Sequence, residues 1–287
     1  MLFFCIAVFS ADIDSKKGEE FDVFEIPEIE NFESKRAMQK WLDRDFGLIP
    51  HKANYILPYG FRNGEYKSYV STDEYTNIEA ELQVSLKLYL GTGFFGLNES
   101  YFIAYSHKAF WQIYSDSSPF RETNYNPEGF VEFPVSDNDS IFNLKSIRLG
   151  AAHISNGQGS NDDESENRSR SLNYMYSDFS FQHKTLLTEI RIQSPFPGTA
   201  DDDDNPDIMN YLGYSSVKFN YFFGKHMFTL MGRGNLSTGY GAVESTYSYP
   251  IIDNAYVYAK IFSGYGESLI DYDNSITKFS IGFSFSR

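Results

Sequence analysis

From about residue 53 onward, apolar and polar residues alternate with a period of two, in stretches of roughly ten residues broken by turn-rich segments. That period is the mark of a β-strand, whose side chains point alternately to opposite faces. In 81–90, Leu82, Val84, Leu86, Leu88 and Leu90 fall on one face and Glu81, Gln83, Ser85, Lys87 and Tyr89 on the other. The last segment repeats the pattern, with Phe279, Ile281, Phe283 and Phe285 opposing Lys278, Ser280, Gly282 and Ser284. The pattern predicts strands at 53–61, 78–90, 101–114, 126–134, 142–155, 173–182, 185–193, 211–223, 227–235, 243–250, 255–263 and 275–286. Sandwich strands alternate in the same way. The number of strands favours an all-β fold, a twelve-stranded antiparallel transmembrane β-barrel, since bacterial barrels have even strand counts.

The connections fit that topology. Short ones at His183-Lys184, Gly224-Lys225-His226 and Ile251–Asn254 are expected as periplasmic turns. Longer ones at 115–125, 156–172, 194–210, 236–242 and 264–274 are expected as extracellular loops.

Composition sharpens the picture. The chain carries 22 Tyr and 27 Phe, yet its mean hydropathy is −0.40. Beyond the N-terminus no apolar run approaches the roughly 18 residues of a membrane helix. Aromatic-rich and polar on average is how a barrel reads, because lipid-facing and lumen-facing residues alternate; a soluble β-sandwich is the alternative on composition alone. A net charge of −15 and a pI near 4.7 exclude a general nucleic-acid binder. Residues 1–11 read as a secretory signal lacking a basic start, and Cys5, the single cysteine, lies within it. The mature chain is then expected to have no disulfide. Residues 12–52, acidic and irregular with a short helical stretch at Glu33–Asp45, read as a periplasmic N-terminal segment, leaving 53–287 as the barrel.

One strand carries unusual chemistry. In 145–155, Lys145, Ile147, Leu149, Ala151, His153 and Ser155 share a face, opposite Ser146, Arg148, Gly150 and Ala152. An imidazole and a hydroxyl on the apolar face make sense if that face touches the substrate and the substrate is lipid. Residues at i and i+2 of a strand are rooted roughly 6–7 Å apart, so His153 can take the Ser155 proton. Asn173, at the start of the next strand, can orient the imidazole from an antiparallel neighbour. An asparagine supplies no charge, so such a site needs help at the oxyanion. On the residues alone, a rim histidine beside an Asn-Gly turn stays open as the bland alternative. On this map Ser117, His153, Ser155 and Asn173 all fall at the extracellular rim.

Longer motifs surround these residues. His153-Ile-Ser-Asn-Gly157 followed by Ser169-Arg-Ser-Leu-Asn173 resembles the catalytic signature of the outer membrane phospholipase A family. Ser117-Ser-Pro-Phe-Arg-Glu-Thr-Asn-Tyr125 and Tyr265-Gly-Glu-Ser-Leu-Ile-Asp-Tyr272 are similar to it as well, as are Asp204–Ile208, Ser237–Gly241 and Asn54–Pro58. The resemblance implies a calcium-dependent phospholipase, acting on glycerophospholipids and lysophospholipids through an acyl-serine and active as a homodimer in the outer membrane. It implies Ser155 as nucleophile, His153 as general base and then acid, and Asn173 as the orienting residue. The implied calcium ligands are Ser117 from one subunit with Gln158 and Ser169 from the other. Gln158 stands where a member of the family has arginine, a change of little consequence if its backbone carbonyl is the ligand. Asn161–Asn167 is an apparent insertion, expected as a solvated acidic loop; the sharper alternative is that Asp162, Asp163 or Glu164 raises local calcium occupancy. Asp201–Asp204 is likewise expected to be solvated. His107, on the face of Ile103 and Tyr105, is a candidate for the dimer interface or an interfacial histidine. The rival functions are a non-enzymatic barrel, pore or structural, and a secreted soluble esterase.

Overall fold

A computed structural model of the chain describes residues 47–63, 66, 75–135, 141–159, 167–196 and 205–287. The expected signal at 1–11, the N-terminal segment up to residue 46 with its helix at Glu33–Asp45, the acidic insertion at 161–166 and Asp201–Asp204 lie outside the described residues.

Alternation is realised as strands that pair in chain order. They are β1 (Leu48–Pro50), β2 (Tyr55–Asn63), β3 (Ile78–Thr92), β4 (Ser100–Trp111), β5 (Phe120–Pro134), β6 (Leu144–Ser155) and β7 (Ser171–His183). There follow β8 (Leu186–Pro195), a single helix turn α1 (Ile208–Leu212), β9 (Ser215–Phe223), β10 (His226–Asn235), β11 (Tyr240–Ile252), β12 (Ala255–Gly264) and β13 (Ile276–Ser284). β2 to β13 form an antiparallel ring, closed where β2 pairs with both β13 and β3. The expected twelve-stranded barrel is the fold. Closure removes every free strand edge, the condition for a sheet in a bilayer.

β1 is a short addition upstream of the expected start at residue 53, pairing Leu48–Pro50 with Leu86–Leu88. Between β1 and β2 the backbone leaves the ladder, and the Asn54 side chain takes over: Ser85 N–H donates to its Oδ1 at 2.6 Å and its Nδ2 donates to the Ser85 carbonyl at 3.2 Å. The excursion turns His51 and Lys52 toward β5, where both reach Glu128, at 2.9 and 3.0 Å.

Two predicted boundaries move. β5 begins at Phe120, not at residue 126. Its first turn of polar residues looked loop-like because Arg121, Glu122 and Asn124 face the polar lumen. The expected strand start at 211–214 is instead α1 and its exit, which buries Ile208 and Met209 against Leu269 and Tyr272. Gly213 closes the helix at φ +76, and a Cβ there would lie 2.0 Å from the Gly234 carbonyl oxygen. The connection after β10 is only 236–239, shorter than expected of an extracellular loop.

The barrel is inside-out. Its outer wall exposes Val84, Ile103, Leu149, Met175, Ile192, Leu230, Ile261 and Phe279. Its lumen holds charges in mutual contact. Lys278, fully buried, lies 2.9 Å from Glu79, 3.5 Å from Glu81 and 3.3 Å from Glu267. Arg121 bridges Glu79 at 2.9 Å and Asp271 at 2.6 Å, and Lys260 pairs with Glu81. Such pairs specify which groups must meet more than they add net stability. Nearer the extracellular loops an apolar cluster fills the lumen: Phe130, Ala152, Leu172 and Tyr176 from the wall meet Ile208, Met209 and Leu269 from the loops.

Candidate active site

The phase of the β6–β7 ladder decides which side chains meet. Asn156 N–H donates to the Arg170 carbonyl at 3.0 Å. Hydrogen-bonded and non-bonded pairs alternate along an antiparallel ladder, so the His153/Asn173 pair falls at a non-bonded position, where opposed side chains lie closest. Accordingly His153 Nδ1 and Asn173 Oδ1 are 2.8 Å apart. With an amide oxygen as acceptor, Nδ1 is the donor, and in the neutral ring that tautomer puts the lone pair on Nε2. Both residues project outward, on the faces of Leu149 and Met175. Ser155 follows on the same face, opposed by Ser171 on β7 and Tyr125 on β5. Among the described residues no hydrogen bond joins Ser155 to His153; the two share a face and a strand.

Asn156 organises the loop that follows. It is 2% exposed. Its Oδ1 accepts from the backbone N–H of Arg170 at 3.1 Å and of Gln158 at 3.3 Å, and its Nδ2 donates to the Arg168 carbonyl at 2.7 Å. One side chain thus ties the outgoing end of the loop, with Gln158, to the incoming end, with Ser169. Gly157 makes the turn at φ +66, and a Cβ there would stand 2.9 Å from the Tyr125 ring. Asn205, fully buried, clamps Ser171 through both backbone groups, each at 2.8 Å. Glu122 accepts from Asn124 at 2.6 Å and from the Ile270 N–H at 3.1 Å, joining β5 to the loop after β12. In that loop Tyr272 donates to Asp207 at 2.5 Å; burial, then that carboxylate, pushes its phenol above the usual tyrosine range.

Sequence reasoning missed Asn156, Asn205 and Glu122 as supports. Their signal was present, since each lies inside a quoted motif, but only the folded chain shows which backbone groups their side chains hold. Ser117 lies in the turn between β4 and β5, exposed and at φ +61. Among the described residues it makes no hydrogen bond with Gln158 or Ser169. His107 faces outward, its ring edge-on to Tyr125 at 5.2 Å and its Nδ1 3.5 Å from the Tyr105 hydroxyl. No cluster of three or more His, Cys, Asp or Glu side chains among the described residues is placed to hold a metal ion.

The family model for phospholipase A1 matches residues 31–285. The chain belongs to the phospholipase A1 family. Phospholipase A1 of Klebsiella pneumoniae is 35% identical over 245 residues, covering 84% of this chain and 82% of the relative. The Escherichia coli K12 enzyme is 34% identical with the same coverage. Among solved structures, outer membrane phospholipase A from E. coli superposes with a TM-score of 0.75 at 32% identity, covering 84% of this chain and 99% of that one. The Salmonella typhi outer membrane phospholipase dimer with bound calcium gives 0.76 at 33% identity, covering 84% and 93%. An E. coli variant described as an active-site mutant, asparagine replaced by alanine, gives 0.76 at 32% identity, covering 85% and 93%. As a phospholipase A1 family member with a closed barrel, the protein is a phospholipase of the bacterial outer membrane, and the pore and soluble-esterase readings fall away.

Proposed function

We propose that the protein hydrolyses acyl esters of membrane phospholipids through Ser155, His153 and Asn173, on the outward face of β6 and β7. The observation that carries this is the 2.8 Å contact between His153 Nδ1 and Asn173 Oδ1 on a lipid-facing wall. A polar pair there is costly unless it is used. His153 Nε2 takes the Ser155 proton as Oγ attacks the ester carbonyl, then returns it to the departing alcohol oxygen. The acyl-serine is cleared by a water whose proton passes to the same nitrogen. Asn173 holds the tautomer throughout. The E. coli variant described as an active-site asparagine mutant supports that role.

The residues fit a hard cation. Gln158 offers a carbonyl and Ser169 a hydroxyl, neutral oxygens of the kind calcium takes, and Asn156 fixes the backbone at both ends of their loop. Calcium held by Gln158 and Ser169 of one subunit and Ser117 of another would polarise the ester carbonyl and neutralise the developing oxyanion. The exposed position of Ser117 on a neighbouring turn suits donation to a second subunit. The S. typhi dimer with bound calcium supports both the cation and the pairing. Regulation follows: substrate reaches an outward site only when phospholipid enters the outer leaflet, and pairing completes the cation site. Full hydrolysis by monomers would contradict this.

The test is fatty-acid release from mixed phospholipid micelles by the detergent-refolded protein, with calcium or with chelator. Release that needs calcium and disappears in Ser155→Ala is expected. No release from a folded barrel would remove the proposal.

A further inference from the structure

The backbone behind His153 has a gap that one side chain fills. Because Asn156 bonds to β7, the alternating phase turns the N–H and C=O of His153 toward β5 instead. The register that pairs Tyr125 with Ser155 and Glu128 with Ala152 places Pro127 opposite His153. Proline has no N–H, so the ladder donor that the His153 carbonyl requires is missing. A carbonyl left unpaired in a wall is costly. Here Asn126, whose side chain turns inward, donates from Nδ2 to the His153 carbonyl at 2.9 Å.

The orientation of that amide is fixed from behind. Lys52 Nζ donates to Asn126 Oδ1 at 3.0 Å, so the oxygen faces the ammonium and the nitrogen must face His153. Lys52 is itself held by Glu128 at 3.0 Å. Glu128 also receives His51 Nε2 at 2.9 Å and the Tyr176 hydroxyl at 2.6 Å. The excursion between β1 and β2 therefore reaches the catalytic strand through a continuous set of polar contacts.

We infer that Asn126, aimed by Lys52, is a positioning residue that replaces the ladder bond missing at Pro127 and fixes the backbone of His153. The inference rests on His153 being the general base. It separates positioning from binding: the carbonyl of His153 lies in the plane of the sheet, directed at β5, and Asn126 meets it from the lumen side, away from lipid, so loss of that bond acts on turnover and not on substrate capture.

The experiment uses the detergent-refolded full chain with mixed phospholipid micelles and calcium, reading kcat and KM separately and checking the folded barrel by heat-modifiable migration. Asn126→Ala is expected to lower kcat about tenfold with KM little changed, since small misplacements of a catalytic group cost that much or more. Adding Pro127→Ala to Asn126→Ala returns a backbone N–H opposite His153 and is expected to restore most of the lost kcat. A generally weakened wall would not be rescued in this way. Parental kcat in Asn126→Ala, or a double variant no faster than the single, overturns the inference. If Asn126→Ala does not fold, the isosteric Asn126→Asp, which accepts but does not donate, is measured with and without Pro127→Ala against the same criteria. His153→Ala runs alongside. Inactivity of His153→Ala with an unimpaired Asn126→Ala sinks this inference alone, whereas activity in His153→Ala sinks the base assignment on which it rests.

Discussion

The two faces of β6 divide the labour of the protein. On the inner face Arg148 bridges Glu132 at 2.8 Å and Asp178 at 3.4 Å, and Ala152 packs into the cluster beneath the loops. On the outer face Leu149 and Ala151 are exposed, and His153 and Ser155 follow them toward the rim. The inner face is engaged along its length, by ion pairs at Arg148 and by apolar packing at Ala152 and Ile154. The outer face is apolar through Ile147, Leu149 and Ala151 and turns polar at His153 and Ser155, the pair proposed to react. A barrel of this kind can hold groups on its outer wall from behind, through a lumen packed with ion pairs.

Breaking each face should give a different signature. The largest effect is expected from Ser155→Ala, which should lower kcat by at least about 1,000-fold while leaving heat-modifiable migration unchanged. Next, Lys278→Ala takes from Glu267 its nearest cation, at 3.3 Å, while Glu79 keeps Arg121 and Glu81 keeps Lys260, and should cost about 3–5 kcal/mol, read from urea unfolding in detergent, with residual activity per folded molecule retained. Leu149→Lys, on the outer face near the middle of β6, should cost about 2–4 kcal/mol in the same assay. Its inner neighbour Arg148→Leu should cost less, about 1–2 kcal/mol, because Asp178 keeps Arg191 at 2.7 Å. Equal losses at the two neighbours would erase the distinction between the faces.

The smallest effect concerns the turn 93–99 between β3 and β4. There the Glu99 carboxylate accepts the N–H groups of Phe95 at 2.5 Å and Leu97 at 2.9 Å, and the Phe95 bond above all draws its pKa down to about 2. A depressed carboxylate contributes order above the usual carboxylate range and loses it as pH falls through its folded value. Amide protection at Phe95 and Leu97, corrected for intrinsic exchange, should hold down to about pH 4 and decline toward about pH 2. Protection lost already near neutral pH would contradict this.

Much of this was legible in the chain. Alternation located all twelve wall strands because every strand sees lipid on one side and a polar lumen on the other. The same polarity hid the start of β5, where Arg121, Glu122 and Asn124 read as loop. His153, Ser155 and Asn173 were visible on one face, but whether His153 met Asn173 depended on the ladder phase, which no single strand encodes. The pairing of Pro127 with His153, and the reach of Lys52 to Asn126 across 74 residues, depend on register between separate segments and could not be read from either. Gln158 and Ser169 were named from motif, whereas Asn156, which ties their loop ends together, sat without an assigned role two residues ahead of Gln158.

The central claim is that an outward-facing serine on β6 is the nucleophile. A fluorophosphonate carrying a long alkyl chain, applied to the refolded protein in detergent with calcium, tests it most directly. Peptide mass spectrometry should find a single adduct, on the peptide containing Ser155, and labelling should vanish in His153→Ala. An adduct on another residue, or full hydrolysis with Ser155 unlabelled, would contradict the account.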